Sequence, residues 1–187
     1  MARCMIHQPA FVPWYPFFAR AAQCDVLALL TDCQWEKGGY QNRFGLRGEW
    51  YTMAVHHGLE RIADKRYVNP ARDWVEIKRR LPSQYAAVLS AMDGCIDERL
   101  AVMNGEIIRH LAQRLGLRCS VVEAPAVPGN ATERLVGICK ALQCEEYLSG
   151  PSGKNYMEEW RFAAAGIKVL YPDISGEDRR SVLEVLT

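Results

Sequence analysis

Residues 3–32 read RCMIHQPAFVPWYPFFARAAQCDVLALLTD, and this stretch decides the fold. The run 3–6 predicts a short buried strand that ends at His7, and two prolines predict a loop over 8–13. A helix is expected from about Trp14 to Gln23, and the apolar run 26–30 predicts a second buried strand. Strand, helix and strand in this order are typical of an α/β sheet.

The rest of the chain continues this alternation after two departures. A β-rich insertion is predicted over 35–56, and a helical segment over 70–116. Further strands are then predicted at 119–122, 145–149 and 167–170, with helices between and after them. We therefore expect a single α/β domain over residues 1–187, with a mostly parallel, Rossmann-like sheet flanked by helices.

Three local patterns bear on helix ends and helix faces. Asn130 followed by Glu133 resembles a capping box, and Ser175 followed by Asp178 predicts the start of a C-terminal helix. Asn104 interrupts the apolar stripe of the last middle helix. A polar residue in that position is either exposed to solvent or in contact with a ligand, and the spacing does not decide between them.

The composition excludes some classes of protein and leaves others open. The formal net charge of +1 gives no global indication of binding to nucleic acid or membrane, although a local patch remains possible. No signal peptide or membrane-spanning segment is predicted, so we expect a cytoplasmic protein. The seven cysteines form no Cys-x-x-Cys pair, and the favoured interpretation is reduced, buried thiols. Cys33 is the one candidate nucleophile, because it lies between Asp32 and Gln34.

The first two strands place a histidine and a carboxylate at their ends. In an open α/β sheet, ligands bind at the carboxyl ends of the strands. His7 and Asp32 both fall at such ends. We therefore predict that they are the catalytic residues, with their side chains in one shared crevice. A surface or satisfied loop histidine and a carboxylate that caps the next turn are the alternatives.

Positive and polar side chains follow the second strand. Lys37, Arg43 and Arg47 bring cations near the predicted site, and arginine can bind two oxygens of a phosphate or carboxylate at once. A solvated basic loop is the alternative. The pair His56-His57 favours a turn over a metal site, because adjacent strand residues point to opposite faces.

Two segments in the second half of the chain could bind an anion. The helix that starts near Thr132 and Arg134 offers free backbone N–H groups at its N-terminus. Ser149 and Gly150 begin a turn after a predicted strand, and backbone N–H groups in such a turn can also hold an anion. The spacing of a P-loop is absent from this turn. A plain capped helix and a structural turn are the alternatives.

Several motifs in order along the chain together resemble the WbqC-like family. They are His-Gln-Pro at 7–9 with Pro-Trp at 13–14, Ala-Gln-Cys-Asp at 22–25, Thr-Asp-Cys-Gln-Trp-Glu-Lys at 31–37, Gln-Asn-Arg at 41–43, Thr-Glu-Arg-Leu at 132–135, Ile-Cys-Lys at 138–140, and Tyr-Leu-Ser-Gly-Pro-Ser-Gly at 147–153 with Tyr156. The region 56–100 matches only loosely. Ala131 stands where the family pattern usually has a lysine, so no role of that lysine transfers to this chain.

The resemblance implies an enzyme of surface-polysaccharide (O-antigen) clusters, for which glycine transfer has been proposed, or a bacteriophage enzyme that attaches amino acids to modified thymines in DNA. We therefore expect a transferase that joins an amino acid, glycine being favoured, through its amine to a phosphorylated acceptor. That acceptor would be a nucleotide-linked sugar or a pyrophosphorylated hydroxymethyl base. No cofactor is expected, although a divalent metal ion remains possible.

In this hypothesis His7 acts as general base or as donor to the leaving phosphate, and Asp32 orients the amine or His7. The other predicted site residues bind substrate: Gln8, Trp14, Gln34, Lys37, Asn42, Arg43, Thr132, Arg134, Ser149 and Gly150.

Two other classes stay open. The loop after the first strand faintly resembles the histidine loop of nucleotidyltransferases, but the paired His-x-Gly-His spacing is missing. A non-catalytic module that binds a nucleotide or nucleic acid is the third possibility.

Overall fold

The computed structural model describes residues 1–129, 131–172 and 180–187. The strands are β1 (Arg3–His7), β2 (Val26–Leu29), β3 (Arg43–Leu46), β4 (Glu49–Thr52), β5 (Ser120–Glu123), β6 (Glu146–Leu148) and β7 (Lys168–Leu170). The α-helices are α1 (Tyr15–Ala21), α2 (Pro70–Arg80), α3 (Ala86–Ser90), α4 (Leu100–Arg114), α5 (Ala131–Ala141), α6 (Glu159–Ala164) and α7 (Val182–Val185). Short 3₁₀ turns lie at Ser83–Tyr85, Asp93–Cys95 and Pro151–Asn155.

Contacts between residues group the chain into two compact units. The first, called the sheet unit below, comprises residues 1–7, 19–30 and 118–177, and the second, called the insertion unit, comprises residues 8–18, 31–117 and 178–187. The expectation of a single domain stays a prediction, and each unit is described by itself.

The sheet unit contains a five-stranded sheet in the order β5-β2-β1-β6-β7, and every pairing in it is parallel. The predicted α/β class and mostly parallel sheet are therefore confirmed. Strand order reverses at β1, because β2 and β5 lie on one side of it and β6 and β7 on the other. Such a reversal is where ligands bind in doubly wound α/β folds.

The core of the sheet unit joins its central strands to α5 and α6. Cys4 and Tyr147 from β1 and β6 share a buried cluster with Ile138 of α5 and Phe162 of α6. The Tyr147 and Phe162 rings stack with their centroids 5.2 Å apart. Burial of such apolar area, at about 25 cal/mol per Å², holds these helices against the sheet.

The insertion unit contains the β-rich insertion and the middle helices. β3 and β4 form an antiparallel hairpin, as predicted for this region. Its two turn residues, Arg47 and Gly48, both have positive φ angles, of 51° and 82°, which matches the twist of the flanking strands. The ring of Phe11 contacts the rings of Phe44, Tyr67 and Trp74, with centroids 5.6–6.3 Å apart, and so anchors the hairpin to the helices.

Several predicted boundaries shift. β1 includes His7, β2 stops at Leu29, and α1 runs only over Tyr15–Ala21, so Pro16, rather than Pro13, lies in its first turn. The predicted helix after Gly153 is divided into a 3₁₀ turn and α6, with Tyr156 between them.

The residues predicted to start two helices lie outside the described ranges, entirely in one case and in part in the other. Asn130 and the pair Ser175 and Asp178 lie outside the described residues. A C-terminal helix does occur at α7, where Ser181 and Glu184 form a reciprocal capping box. Ser181 and Glu184 cap the start of α7 by the kind of side-chain capping that was predicted for Ser175 and Asp178.

Asn104 follows neither of the two expectations for it. It is fully buried in α4, where its Nδ2 donates to the carbonyl oxygens of Pro9 at 2.9 Å and Gln41 at 2.7 Å. Its Oδ1 accepts from the Tyr67 hydroxyl at 2.8 Å. Asn104 therefore satisfies buried backbone groups of the insertion unit.

Candidate functional site

In the sheet unit, predicted site residues gather at the carboxyl edge of the sheet. β1 pairs with β6 in parallel register, with Arg3 opposite Glu146 and Cys4 opposite Tyr147. Continued by three residues, this register brings His7 level with Gly150. His7, Ser149 and Gly150 thus lie at the strand-order reversal, which is the position expected of a ligand site.

The turn that follows β6 is closely packed. Ser149 is 1% exposed, and its hydroxyl donates to the carbonyl oxygen of Gly150 at 3.0 Å. A Cβ at Gly153 would lie only 2.1 Å from Ser149 Oγ, so the turn requires glycine there. This packing gives Ser149 a fixed position at the sheet edge.

Thr132 and Arg134 lie in the first turn of α5, as predicted. The buried Thr132 hydroxyl accepts from the backbone N–H of Glu158 at 3.3 Å, and it therefore ties α5 to the residue before α6. Glu133 forms an ion pair with Arg161 at 3.0 Å. The Thr132 oxygen thus has a structural contact, while Arg134 is half-buried beside it.

In the insertion unit, Asp32 is held by an arginine that the sequence did not single out. Arg61 Nη1 donates to Asp32 Oδ1 at 3.1 Å, and Arg61 Nε donates to Asp64 at 2.8 Å. These two hydrogen bonds raise the pKa of Arg61. The predicted partnership of His7 and Asp32 joins residues of different units, and it stays a prediction.

Gln8 and Cys33 are joined by a side-chain hydrogen bond. Gln8 Nε2 donates to Cys33 Sγ at 3.3 Å, and Gln41 Nε2 donates to Gln8 Oε1. Because Gln8 is bound on both sides, its amide orientation is fixed. All seven cysteines are free thiols, and four of them, Cys4, Cys24, Cys139 and Cys144, are buried.

A cavity of about 470 Å³ in the insertion unit brings together three predicted site residues, Lys37, Asn42 and Arg43. The other residues that line it are Trp35, Gly38, Thr52, Val55, His56, His57, Gly58 and Leu59. Two cations and two imidazoles thus surround the cavity, and none of its described lining residues is acidic. Such a set of donors suits phosphate oxygens.

Internal contacts hold the polar side chains of this cavity in place. Arg43 donates to the carbonyl oxygens of Gly38 and Gly39, and its guanidinium carbon lies 4.5 Å from the Trp50 ring centroid. Asn42 Nδ2 donates to the carbonyl oxygen of Met53 at 2.8 Å. This bond anchors the Asn42 side chain through its amide nitrogen, and the amide oxygen takes no part in it.

A buried lysine contacts two of the residues that line this cavity, Gly58 and Trp35. Lys65 Nζ donates to the carbonyl oxygen of Gly58 at 2.9 Å and to Glu60 at 2.7 Å, and it lies 4.4 Å from the Trp35 ring centroid. The segment that carries His56 and His57 is therefore tied to Trp35. Among the described residues, no three His, Cys, Asp or Glu side chains are placed to bind a metal ion.

The sequence profile of the WbqC-like protein family matches residues 8–179. The chain belongs to the WbqC-like protein family. The matched range contains every predicted substrate-binding residue and Asp32, and it begins one residue after His7.

Comparison with curated proteins adds a distant relative of this WbqC-like protein. The chain is 24% identical over 194 residues to "Uncharacterized protein Rv1507c" of Mycobacterium tuberculosis (strain ATCC 25618 / H37Rv). The match covers 94% of this chain and 84% of that protein. No solved structure matches the chain significantly. In the described part of the chain, helices long and apolar enough to span a membrane are absent.

The remaining predicted residues of the WbqC-like protein lie on the insertion unit's surface. Gln34 is exposed, and its backbone forms an isolated bridge with Arg61. Trp14 is 48% exposed and forms an isolated bridge with Ser181.

Sequence reasoning did not assign His56, His57 and Arg20 to a site. From the sequence, the two histidines were considered only as a turn or a metal pair. They line the same cavity as Lys37, and the residue that follows them, Gly58, accepts a hydrogen bond from Lys65. Arg20 sits in the last turn of α1, where an arginine usually faces solvent, yet it is only 6% exposed. Local spacing carries no signal for either arrangement.

Proposed function

We propose that this WbqC-like protein is a transferase that joins the amine of an amino acid, glycine being favoured, to a phosphorylated acceptor. The amine nitrogen attacks the acceptor carbon that carries the phosphate oxygen. A carbon–nitrogen bond forms, the carbon–oxygen bond breaks, and the electron pair leaves with the phosphate group. The amine loses one proton to a general base.

The acid-free cavity around Lys37 and Arg43 is the observation that supports this proposal best. Its volume of about 470 Å³ is within the range of small-ligand sites. Two cations and two imidazoles offer hydrogen-bond donors to a diphosphate, and they stabilise the negative charge that develops on the leaving group.

Other residues take separate roles in the proposed reaction. His7, at the carboxyl end of β1, accepts the amine proton or donates to the leaving phosphate, since an imidazole can do either near neutral pH. Asp32 orients the amine, while Gln8 and Asn42 position the substrate through amide groups whose other contacts are fixed.

The test is incubation of the full chain with isotopically labelled glycine and two acceptors in parallel. One acceptor is a nucleotide-linked sugar, and the other is DNA that carries a pyrophosphorylated hydroxymethyl base. A gain in acceptor mass equal to glycine less water, relative to the free hydroxyl form, supports the proposal and identifies the acceptor. Mass gain with neither acceptor would contradict it.

His7→Ala provides the matched variant for that assay. It should abolish glycine incorporation while circular dichroism and the unfolding midpoint stay close to those of the parent. Equal rates in the variant and the parent would remove His7 from the mechanism.

A second candidate function, nucleic-acid binding without turnover, is favoured by one observation. Tyr40 and Trp50 are 63% and 47% exposed, with ring centroids 5.9 Å apart, and Arg43 lies over Trp50. Exposed aromatic rings beside cations are suited to stacking with bases. DNA binding that weakens steeply with salt, without incorporation of glycine, would support this candidate instead.

A further inference from the structure

Arg20 is a buried cation in the sheet unit. It belongs to the last turn of α1 and is 6% exposed. Its Nε is fully buried and has no hydrogen-bond partner in residues 1–129, 131–172 and 180–187. Buried charges in proteins are normally paired, because removal of an ion from water without compensation is costly.

Among the described residues, no carboxylate is paired with Arg20. Burial lowers the pKa of Arg20, and the opposing influences come from the Tyr147 hydroxyl and the Cys24 thiol. Burial also raises the pKa of Tyr147, although a hydrogen bond with Ser149 acts in the opposite direction. The described groups that oppose the effect of burial on the pKa of Arg20 are thus a phenol and a thiol, and neither supplies a full counter-charge.

The end of the Arg20 guanidinium lies directly against Gly150. A Cβ on this residue would lie 2.8 Å from Arg20 Nη1, closer than two such atoms normally approach. The backbone of Gly150 has φ −71° and ψ 162°, values that any residue can adopt. A side chain at this position would therefore displace the Arg20 guanidinium, while the backbone of Gly150 is unstrained.

The location of this arginine points to a ligand. Gly150 follows β6 and lies level with His7 at the strand-order reversal, where doubly wound sheets bind their ligands. A buried guanidinium with an unpartnered Nε at such a position can offer two parallel N–H groups to one oxyanion.

We propose that Arg20, where its guanidinium meets Gly150, forms an oxyanion-binding site of the sheet unit that receives a phosphate or a carboxylate. The use of this site in glycine transfer rests on the proposed function, because the substrates of that reaction carry a carboxylate and a phosphate. Binding itself is independent of turnover. A failed glycine assay would therefore leave this site standing.

The experiment measures dissociation constants of the full chain by isothermal titration calorimetry at constant ionic strength. The probes are inorganic phosphate, pyrophosphate and glycine. Arg20→Met removes the charge and keeps much of the side-chain length, while Gly150→Ala keeps the charge and places a methyl group against Nη1. Each substitution should weaken binding of at least one probe, Arg20→Met by about tenfold to a hundredfold.

Two control variants assign the binding to this site. Arg118→Met removes an exposed arginine of the same unit and should leave the affinities unchanged. Lys37→Met acts on the cavity of the insertion unit. If Lys37→Met abolished binding of all probes while Arg20→Met and Gly150→Ala bound them like the parent, the proposal would be overturned.

The probes distinguish the two sources of the oxyanion. Weakened binding of phosphate and pyrophosphate alone identifies a phosphate site, and weakened binding of glycine alone identifies a carboxylate site. If Arg20→Met does not fold, as judged by circular dichroism, Gly150→Ala decides. A parent protein that binds none of the three probes at millimolar concentration would contradict the proposal.

Discussion

Arg61 Nη1 lies 3.1 Å from Asp32 Oδ1, and the same guanidinium holds Asp64 at 2.8 Å. One arginine thus binds two carboxylates, only one of which was predicted to take part in catalysis. Both pairs are substantially exposed, so solvent screens them and each contributes little to folding. This arrangement provides a matched comparison of function against stability.

Asp32→Asn should reduce glycine incorporation by at least about tenfold, because the proposed orienting carboxylate becomes neutral. Asp64→Asn removes the other carboxylate held by Arg61 and should leave the rate within about twofold. Both variants should lie within about 1 kcal/mol of the parent in urea unfolding. Equal rate losses in the two variants would mean that Asp32 acts only through its ion pair.

Lys37→Met should raise the KM for the phosphorylated acceptor about tenfold, because one charged hydrogen bond to phosphate is lost. Lys37 is exposed, so the free energy of unfolding should change by less than about 0.5 kcal/mol. Lys140→Met, on the exposed face of α5, is the control and should not change the KM. A Lys37 variant with the parent's KM would exclude this cavity as the acceptor site.

Asn104→Ala should destabilise the protein by about 2–5 kcal/mol, because two backbone carbonyl groups and the Tyr67 hydroxyl lose a buried partner. Tyr67→Phe removes one hydroxyl from the same network and should cost less, about 1 kcal/mol. Urea unfolding of the two variants tests the order. A smaller effect of Asn104→Ala than of Tyr67→Phe would contradict the assigned role.

Asp97 gives a prediction for acidic pH. Hydrogen bonds from the side chain and backbone of Arg99 lower the pKa of Asp97 to about 2. Because the folded-state pKa is below the unfolded value of about 3.9, the stabilisation is complete above that pH and disappears as the pH falls through about 2.

Asp97→Asn should therefore be less stable than the parent at pH 7, by at most about 1 kcal/mol given the exposure of Arg99. The difference should vanish near pH 2. Unfolding free energies of both proteins at the two pH values test this. A difference of the same size at both would show that the ionised carboxylate is not its source.

Local patterns in the sequence were enough to predict the class of fold. Strand periodicity and helical spacing depend on near neighbours in the chain, so β1, β2 and the helical segment could be located before the structure was known. Helix ends were predicted less accurately than the helices themselves. Pro16 lies in the first turn of α1, and Ser181 and Glu184 cap α7, but other residues nearby also resemble helix starts. The position of His7 at the carboxyl end of its strand also followed from the predicted order of elements along the chain.

The sequence by itself determined that this chain alternates strands and helices and that polar residues follow the strands. Only the tertiary structure decided which of those residues meet: Lys37, Asn42 and Arg43 around one cavity with His56 and His57, and Arg20 against Gly150. The tertiary structure also decided which polar side chains are buried. Asn104 lies inside the insertion unit, and Arg20 is buried without a counter-charge among the described residues. The physical reason is that periodicity reports the face of an element, whereas a site depends on contacts between elements far apart in the chain.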